Sequence, residues 1–331
     1  MRIALGGVAN SFLLSLKPEN FPRGPKGGDA YYQVDPNWGK QPFLFDSNPL
    51  DPCWRLFPSG FDEVMGTGDK GALLQQRMNE SFFRDPIFTK SNPTIPSIPY
   101  QSGIGACTVA CVNHAIACEM ARQIVRGINP RTPFFTPWMP PSYGTTRTLI
   151  NKPNTDAGDG VSLLQAIVVP YLFGLYQFIN FGKNDRQLIL DWKTNGPSSM
   201  VPRPTVRVGE IRRHKTMASV AEALVNEKVL VCQVPFGFNR RIKGVIDHVL
   251  ITKDMFGKPI SHVVNIIGCR MHNREWHLEL RDHNIMTGDM QNNPTGQYST
   301  PNRVGLISVG LFNRLVRLDK VLCVSFGRVH Q

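Results

Sequence analysis

The sequence predicts an α+β protein in two lobes, helices first and strands second, with a long buried helix beginning at Cys107. Three observations predict it. Residues 107–126 hold no Gly or Pro, carry Ala at 110, 115, 117 and 121, and are apolar nearly all round, as a central helix is. Beyond residue 228 come runs of branched residues separated by turn-formers: "KVLVCQVPF", "SHVVNIIGC", "EWHLELRDH", "VGLISVGLF" and "KVLCVSFGRV". That is the pattern of an antiparallel sheet or half-barrel. The 331 residues, 41% hydrophobic, are enough for one large domain or two of ordinary size with a full core.

Along the chain, residues 1–85 are rich in Pro, Gly, Asp and Asn and read as an extension or pro-like segment packed on something else. Within them only "DEVMGTGDKGALLQQRMNESFF" looks helical. Residues 86–205 form the helical lobe. There "DPIFTKSNPTIPSIPY" is a proline-punctuated approach, and the Cys107 helix ends at Gly127 with Arg122 and Arg126 in its last turns. A second helix is expected near 162–169. The apolar stretch 163–181 is interrupted by Gln165, Pro170, Gly174, Gln177 and Asn180, so it reads as a buried helix stopped near Pro170 and Gly174, not a membrane span. Residues 206–331 form the β-rich lobe, opened by a helix near 217–226. Such two-lobed arrangements commonly hold a site between the lobes.

The net charge is +12, from 37 basic against 25 acidic residues. The excess favours an anionic partner, nucleic acid or acidic protein, or else simply a solvated basic face. Its densest groups are "RVGEIRRHK" (207–215) and "NRRIK" (239–243), with no zinc-finger or RNA-binding signature. The seven cysteines are odd in number, irregularly spaced and partly embedded in apolar runs, which suits free thiols in a reducing, intracellular compartment. The N-terminus carries one Arg and a short apolar run without a convincing cleavage site, so no signal peptide is expected.

A thiol at a helix N-terminus feels unpaired backbone N–H groups and the positive end of the helix dipole, both of which favour thiolate. A nucleophile also needs a base. His114 shares a face with Cys107, but seven residues of helix rise about 10 Å, beyond hydrogen-bond reach, so His114 is structural and the base lies elsewhere. Taken alone, Cys107 reads equally as a small buried hydrophobe at a helix start.

"QSGIGAC" (101–107) resembles the active-site segment of papain-like cysteine peptidases, in which a Gln precedes the nucleophilic Cys by six. The likeness continues in order. "FFTPWMPPSYGTTR" (134–147) resembles the segment after the central helix in bacterial members. "DAGDGVSLLQAIVVPYLFGL" (156–175) is similar to the Gly-bearing loop and following helix, and 217–236 to the helix and strand that open the β half. "SHVVNIIGC" (261–269) resembles the histidine strand, and "WHLELRDHN" (276–284) the strand ending in the residue that orients the histidine. The match spans about 90–285 with loose motifs.

The resemblance implies a two-lobed papain-like fold and a thiol peptidase acting on protein or peptide substrates, with no metal or organic cofactor. It assigns Cys107 as nucleophile, His262 as base, Asp282 as its orienter and Gln101 as oxyanion donor. Gly105 and the loop Gly158, Asp159 and Gly160 would meet the substrate. The residues themselves agree in part. In "EWHLELRD" strand parity turns Asp282 to the apolar side, with His277 facing solvent. His262 opens an apolar strand, His248 in "GVIDHVLIT" is the rival base, and His272 and His283 look like turn residues.

Departures from the family pattern stand at Thr108, where Trp is usual, at Ile104, where secreted relatives carry a disulfide cysteine, and at Asp282, where Asn is commoner. Two alternatives stay open: a papain-like transamidase or deamidase, and an inactive papain-like scaffold that binds rather than cleaves.

Overall fold

In the computed structural model, which describes residues 104–125, 128, 135, 137–151, 159–238, 248–252, 255–282 and 304–330, the helices come first. α1 (Cys107–Val125) is buried along almost its whole length. α2 (Met139–Asn151) opens on Pro140 and Pro141, where a missing N–H costs nothing because the first turn leaves its donors unpaired.

α3 (Leu163–Val168) is fixed by a reciprocal cap. The Gln165 N–H donates to Ser162 Oγ at 3.2 Å, and the Ser162 N–H donates to Gln165 Oε1 at 2.8 Å. Pro170 then loosens the helix into one wide turn over Val169–Phe173, which ends at Gly174. Gly174 has φ 107° and sits where a Cβ would lie 2.6 Å from the Val206 carbonyl oxygen, so only glycine fits. α4 (Asp185–Asn195) carries the same reciprocal cap from Asn184 and Gln187. Its Trp192 meets Trp138 edge to face at 5.6 Å, which ties α4 to the start of α2.

A seven-stranded sheet follows, in the order β1-β7-β2-β4-β5-β6-β3. Its strands are β1 (Arg207–Arg213), β2 (Leu230–Phe238), β3 (His248–Leu250), β4 (Phe256–His272), β5 (Glu275–Arg281), β6 (Val304–Ser308) and β7 (Cys323–His330). Pairing is antiparallel except at the edge, where β3 runs parallel to β6. α5 (Met217–Val225) and α6 (Val309–Leu315) cover one face with Val220, Leu224 and Phe312, over Val264, Ile266 and Leu278. α1 lies on the other face, against Val231, Val263 and Val324. The sheet is therefore apolar on both sides, and α1 is the seam between the lobes.

Several elements differ from the sequence expectation. "VGLISVGLF" is not one strand: Ser308 accepts from the Leu311 N–H at 3.2 Å and turns its second half into α6. α2, α4, β1 and β3 were not anticipated. "RVGEIRRHK" is not a solvated face but edge strand β1, with Arg213 and His214 buried. His214 hydrogen-bonds Ser325 through Nε2 at 2.9 Å, and burial first of all lowers its pKa to about 3, so it is neutral. β4 begins at Phe256, so His262 lies inside a long central strand and does not open one. The segment 1–85, the approach 86–100, Arg126, Gly127 and "NRRIK" lie outside the described residues. Among the described residues no helix is long and apolar enough to cross a membrane.

Candidate active site

Ala106 is the last residue before α1: its carbonyl accepts the Ala110 N–H at 3.0 Å. Cys107 is then the first helical residue, with an alanine instead of a capping side chain before it. The donors of the first turn are left to the dipole end, on which the thiol sits.

His262 reaches that thiol from β4. The register that sets Asn265 opposite Arg281 brings Asp282, just past the end of β5, to the same end of the sheet as His262. His262 Nε2 lies 3.0 Å from Asp282 Oδ1, which leaves Nδ1 as the nitrogen for the thiol. All three side chains are buried.

The electrostatics push the pair apart. Burial raises the Cys107 thiol, but the hydrogen bond and charge of His262, helped by Thr108 and the Val263 backbone, outweigh it and hold the thiol below its ordinary 9.0. Burial likewise opposes the imidazolium, yet the Asp282 carboxylate and Cys107 lift His262 well above its ordinary 6.5. The favoured state is thiolate beside imidazolium, balanced by a buried carboxylate. Cys111, one turn along, is pushed the other way by burial and by the negative charges of Cys107 and Asp282. Cys118 is pushed up to about 12, chiefly by burial.

The helix and the histidine strand are held in register by polar contacts. Asn265 Nδ2 donates to the Cys111 carbonyl at 3.0 Å and to the Leu230 carbonyl at 3.3 Å, and the Cys111 thiol donates to the Val263 carbonyl at 3.3 Å. At the far end of α1, buried Glu119 accepts two bonds from Arg122 and one each from Gln123 and Lys228, at 2.8–3.0 Å. Lys228 also donates to the Phe326 carbonyl of β7 at 3.1 Å. Both ends of α1 are thus tied to the sheet.

Three successive carbonyls beside Cys107 each take a side-chain donor. Asp159 accepts from the Tyr143 hydroxyl at 2.5 Å, Gly160 from Arg147 Nη1 at 2.9 Å, and Val161 from the Thr108 hydroxyl at 2.9 Å. The Asp159 carboxylate also pairs with Lys193. Thr108 therefore fixes the loop next to Cys107 from the position where Trp is usual in the family pattern.

The structure brings together Cys107, His262 and Asp282, with Gly105, Asp159 and Gly160 around them. Gln101, Gly158, His283 and Asn284 lie outside the described residues. His248, the rival base, is on β3 at the sheet edge, three strands from β4. His114 is buried, with Nε2 3.2 Å from Arg281 Nη1 and 3.8 Å from the Cys118 thiol. His277 is not solvent-facing: it is buried, its ring meeting His272 edge to face at 5.4 Å and its Nδ1 lying 3.0 Å from the Glu275 carbonyl. Residues missed in the sequence are Asn265, a lone amide in an apolar run, and Tyr143 with Arg147, whose i,i+4 spacing puts them on one face of α2. Among the described residues no group of His, Cys, Asp and Glu is arranged to hold a metal ion.

Against known proteins, no protein-family model matches and no curated protein matches. Among solved structures the chain is similar to procathepsin B S9 from Trypanosoma congolense, at 14% identity and TM-score 0.50, over 98% of this chain and 99% of that one. It is also similar to xylellain, a cysteine protease from Xylella fastidiosa (16% identity, TM-score 0.45, 71% and 84% covered). A further likeness is to the cysteine protease and lectin-like domains of Cwp84 from Clostridium difficile (12%, 0.46, 76% and 52%). At these identities the likeness speaks for the fold, and the fold is papain-like, with its α+β two-lobed layout.

Proposed function

We propose that this papain-like chain is a thiol peptidase, with Cys107 as nucleophile, His262 as base and then acid, and Asp282 as the group that orients and charges His262. The observation that carries the proposal is the buried line from a helix-terminal thiol through an imidazole to a carboxylate, with the thiol held low and the imidazole held high. In this reading the Cys107 thiolate attacks the carbonyl carbon of a peptide bond. Negative charge develops on the carbonyl oxygen, stabilised by the Cys107 N–H at the helix start and by Gln101. His262 gives its proton to the departing amine, leaving a thioester on Cys107. Water, deprotonated by His262, then attacks the thioester and frees the acid. Gly105 and the ledge of Gly158, Asp159 and Gly160, in which the Asp159 and Gly160 carbonyls take donors from Tyr143 and Arg147, would align the substrate backbone.

Paired measurements test the proposal. A thiol-reactive epoxide should label Cys107 in the folded chain. His262→Ala should abolish both labelling and peptide cleavage, and His248→Ala should keep most of each. Absence of labelling at Cys107 would favour the inactive scaffold; labelling with a new amide in place of free acid would favour transfer, and labelling with ammonia and a side-chain acid released while the peptide backbone stays intact would favour deamidation.

A further inference from the structure

We propose that Cys232 and Cys323 are a cross-strand disulfide site, closed when the chain folds in the presence of a small-molecule disulfide. The two residues stand directly opposite each other on the antiparallel pair β2 and β7. Both are fully buried on the sheet face covered by α5 and α6, both are free thiols, and the Cys232 thiol, which donates to the Gln233 carbonyl at 3.5 Å, is close enough to Cys323 to interact with it.

The hydrogen-bond phase of the ladder decides whether they can join. The Gln233 N–H donates to the Leu322 carbonyl at 2.9 Å, so residues 233 and 322 are a hydrogen-bonded pair. Their neighbours 232 and 323 must then be a non-hydrogen-bonded pair. A second contact agrees: the Cys323 carbonyl accepts the His214 N–H at 2.7 Å, so Cys323 turns its backbone groups away from β2, toward the side of β1. In non-hydrogen-bonded pairs the Cα atoms approach to about 4.5 Å and the side chains stand closest. That spacing lies inside the Cα window of about 4.4–6.8 Å that a disulfide needs. Among the described residues, neither the helical spacing of Cys107, Cys111 and Cys118 along α1 nor Cys269, which stands opposite Leu278 on β5, offers a comparable pair.

The chemistry balances with glutathione disulfide as oxidant. One cysteine thiolate attacks a glutathione sulfur and releases one glutathione as thiol. The second attacks the resulting mixed disulfide, forms the Cys232–Cys323 bond and releases the other glutathione. Both cysteine protons end on the two glutathiones, and the two electrons reduce the glutathione disulfide. Burial leaves no approach for the oxidant once α5 and α6 are packed, so the exchange belongs to folding, while β7, the last strand of the chain, is still docking on β2. The bond would close a loop across most of the β lobe and constrain the unfolded chain accordingly. Nothing in this depends on peptidase activity.

The test is refolding of the full chain from denaturant in oxidised and reduced glutathione, compared with refolding in reduced glutathione alone. Digestion without reduction, followed by mass mapping, should yield peptides carrying Cys232 and Cys323 joined and two hydrogens lighter than the separate pair. The thermal midpoint of the oxidised chain should rise by about 5–10 °C. Cys232→Ser and Cys323→Ser should each abolish that difference between oxidised and reduced chains. Recovery of both wild-type cysteines as free thiols, or each capped singly by glutathione, would overturn the proposal. So would a midpoint difference that survives in both serine variants.

Discussion

Replacing Asp282 by Asn removes one negative charge from beneath the imidazole and keeps an oxygen that can accept from its N–H. At 3.0 Å, unit charges attract by roughly 5–6 kcal/mol at an effective dielectric of about 20, a gross figure from which burial of both ions takes back a large part. The balance holds His262 protonated to a higher pH than an ordinary histidine. Asp282→Asn should therefore move the alkaline limb of kcat/KM, where imidazolium is lost, to lower pH. Exchanging a charged for a neutral hydrogen bond costs about 1–1.5 kcal/mol, so the maximum should stay within about tenfold of wild type. Asp282→Ala loses orientation as well as charge and should fall by about 10³–10⁴-fold. The assay is a pH–rate profile on one peptide substrate for the wild type and both variants. If all three profiles superimpose, Asp282 does not orient His262, and Asn284 takes its place as candidate.

Brief iodoacetamide treatment followed by mass mapping should find Cys107 alkylated far faster than Cys111 or Cys118, since burial raises both of the latter. Equal rates would remove Cys107 as nucleophile. Gln101→Ala should lower kcat by about 10²-fold with little change in KM, and an unchanged kcat would make Gln101 a turn residue. Glu119 is opposed by burial but held below its ordinary 4.5 by Arg122 and Lys228. Its contribution to stability is present above about pH 4.5 and is lost as pH falls through the lower folded value. Urea unfolding of Glu119→Gln should show a loss of about 2–4 kcal/mol near neutral pH and a much smaller one in acid. A gap that does not shrink in acid would mean the loss is packing alone.

The parts of the fold legible in the sequence were those in which one signal dominates. α1 lacks both Gly and Pro, and β2, β4 and β7 each carry an apolar run because helices cover both faces of the sheet, while β5 alternates Trp276, Leu278 and Leu280 with polar residues. α2 was hidden because Pro140 and Pro141 read as loop, although a helix tolerates them in its first turn. α4 was readable: Asn184 and Gln187 have the spacing of a reciprocal cap ahead of Leu188, Ile189 and Trp192, but the polar residues among them obscured it. In "VGLISVGLF" the composition suits a strand throughout, and only Ser308, placed as a helix cap, marks where it stops. β3 has three residues and pairs with β6 far along the chain, which local pattern cannot convey.

The candidate site divides along the same line. Cys107, His262 and Asp282 were found because the segments that carry them resemble papain-like motifs in the same order along the chain, a likeness that needs no coordinates. What order could not supply is how the three are held. Asn265 is a lone amide within an apolar run, yet it is the amide that bonds both α1 and β2 and so sets the height of the histidine strand against the helix. Thr108 looked like a deficiency because the residue expected there is a large aromatic. In place it reaches the Val161 carbonyl and lies beside the thiol it helps to keep ionised. A short polar side chain at that position ties the start of α1 to the loop that carries Val161. Another departure from the family pattern, Asp282, is buried beside His262 and holds its imidazolium with a full negative charge, where a neutral amide would hold it less firmly.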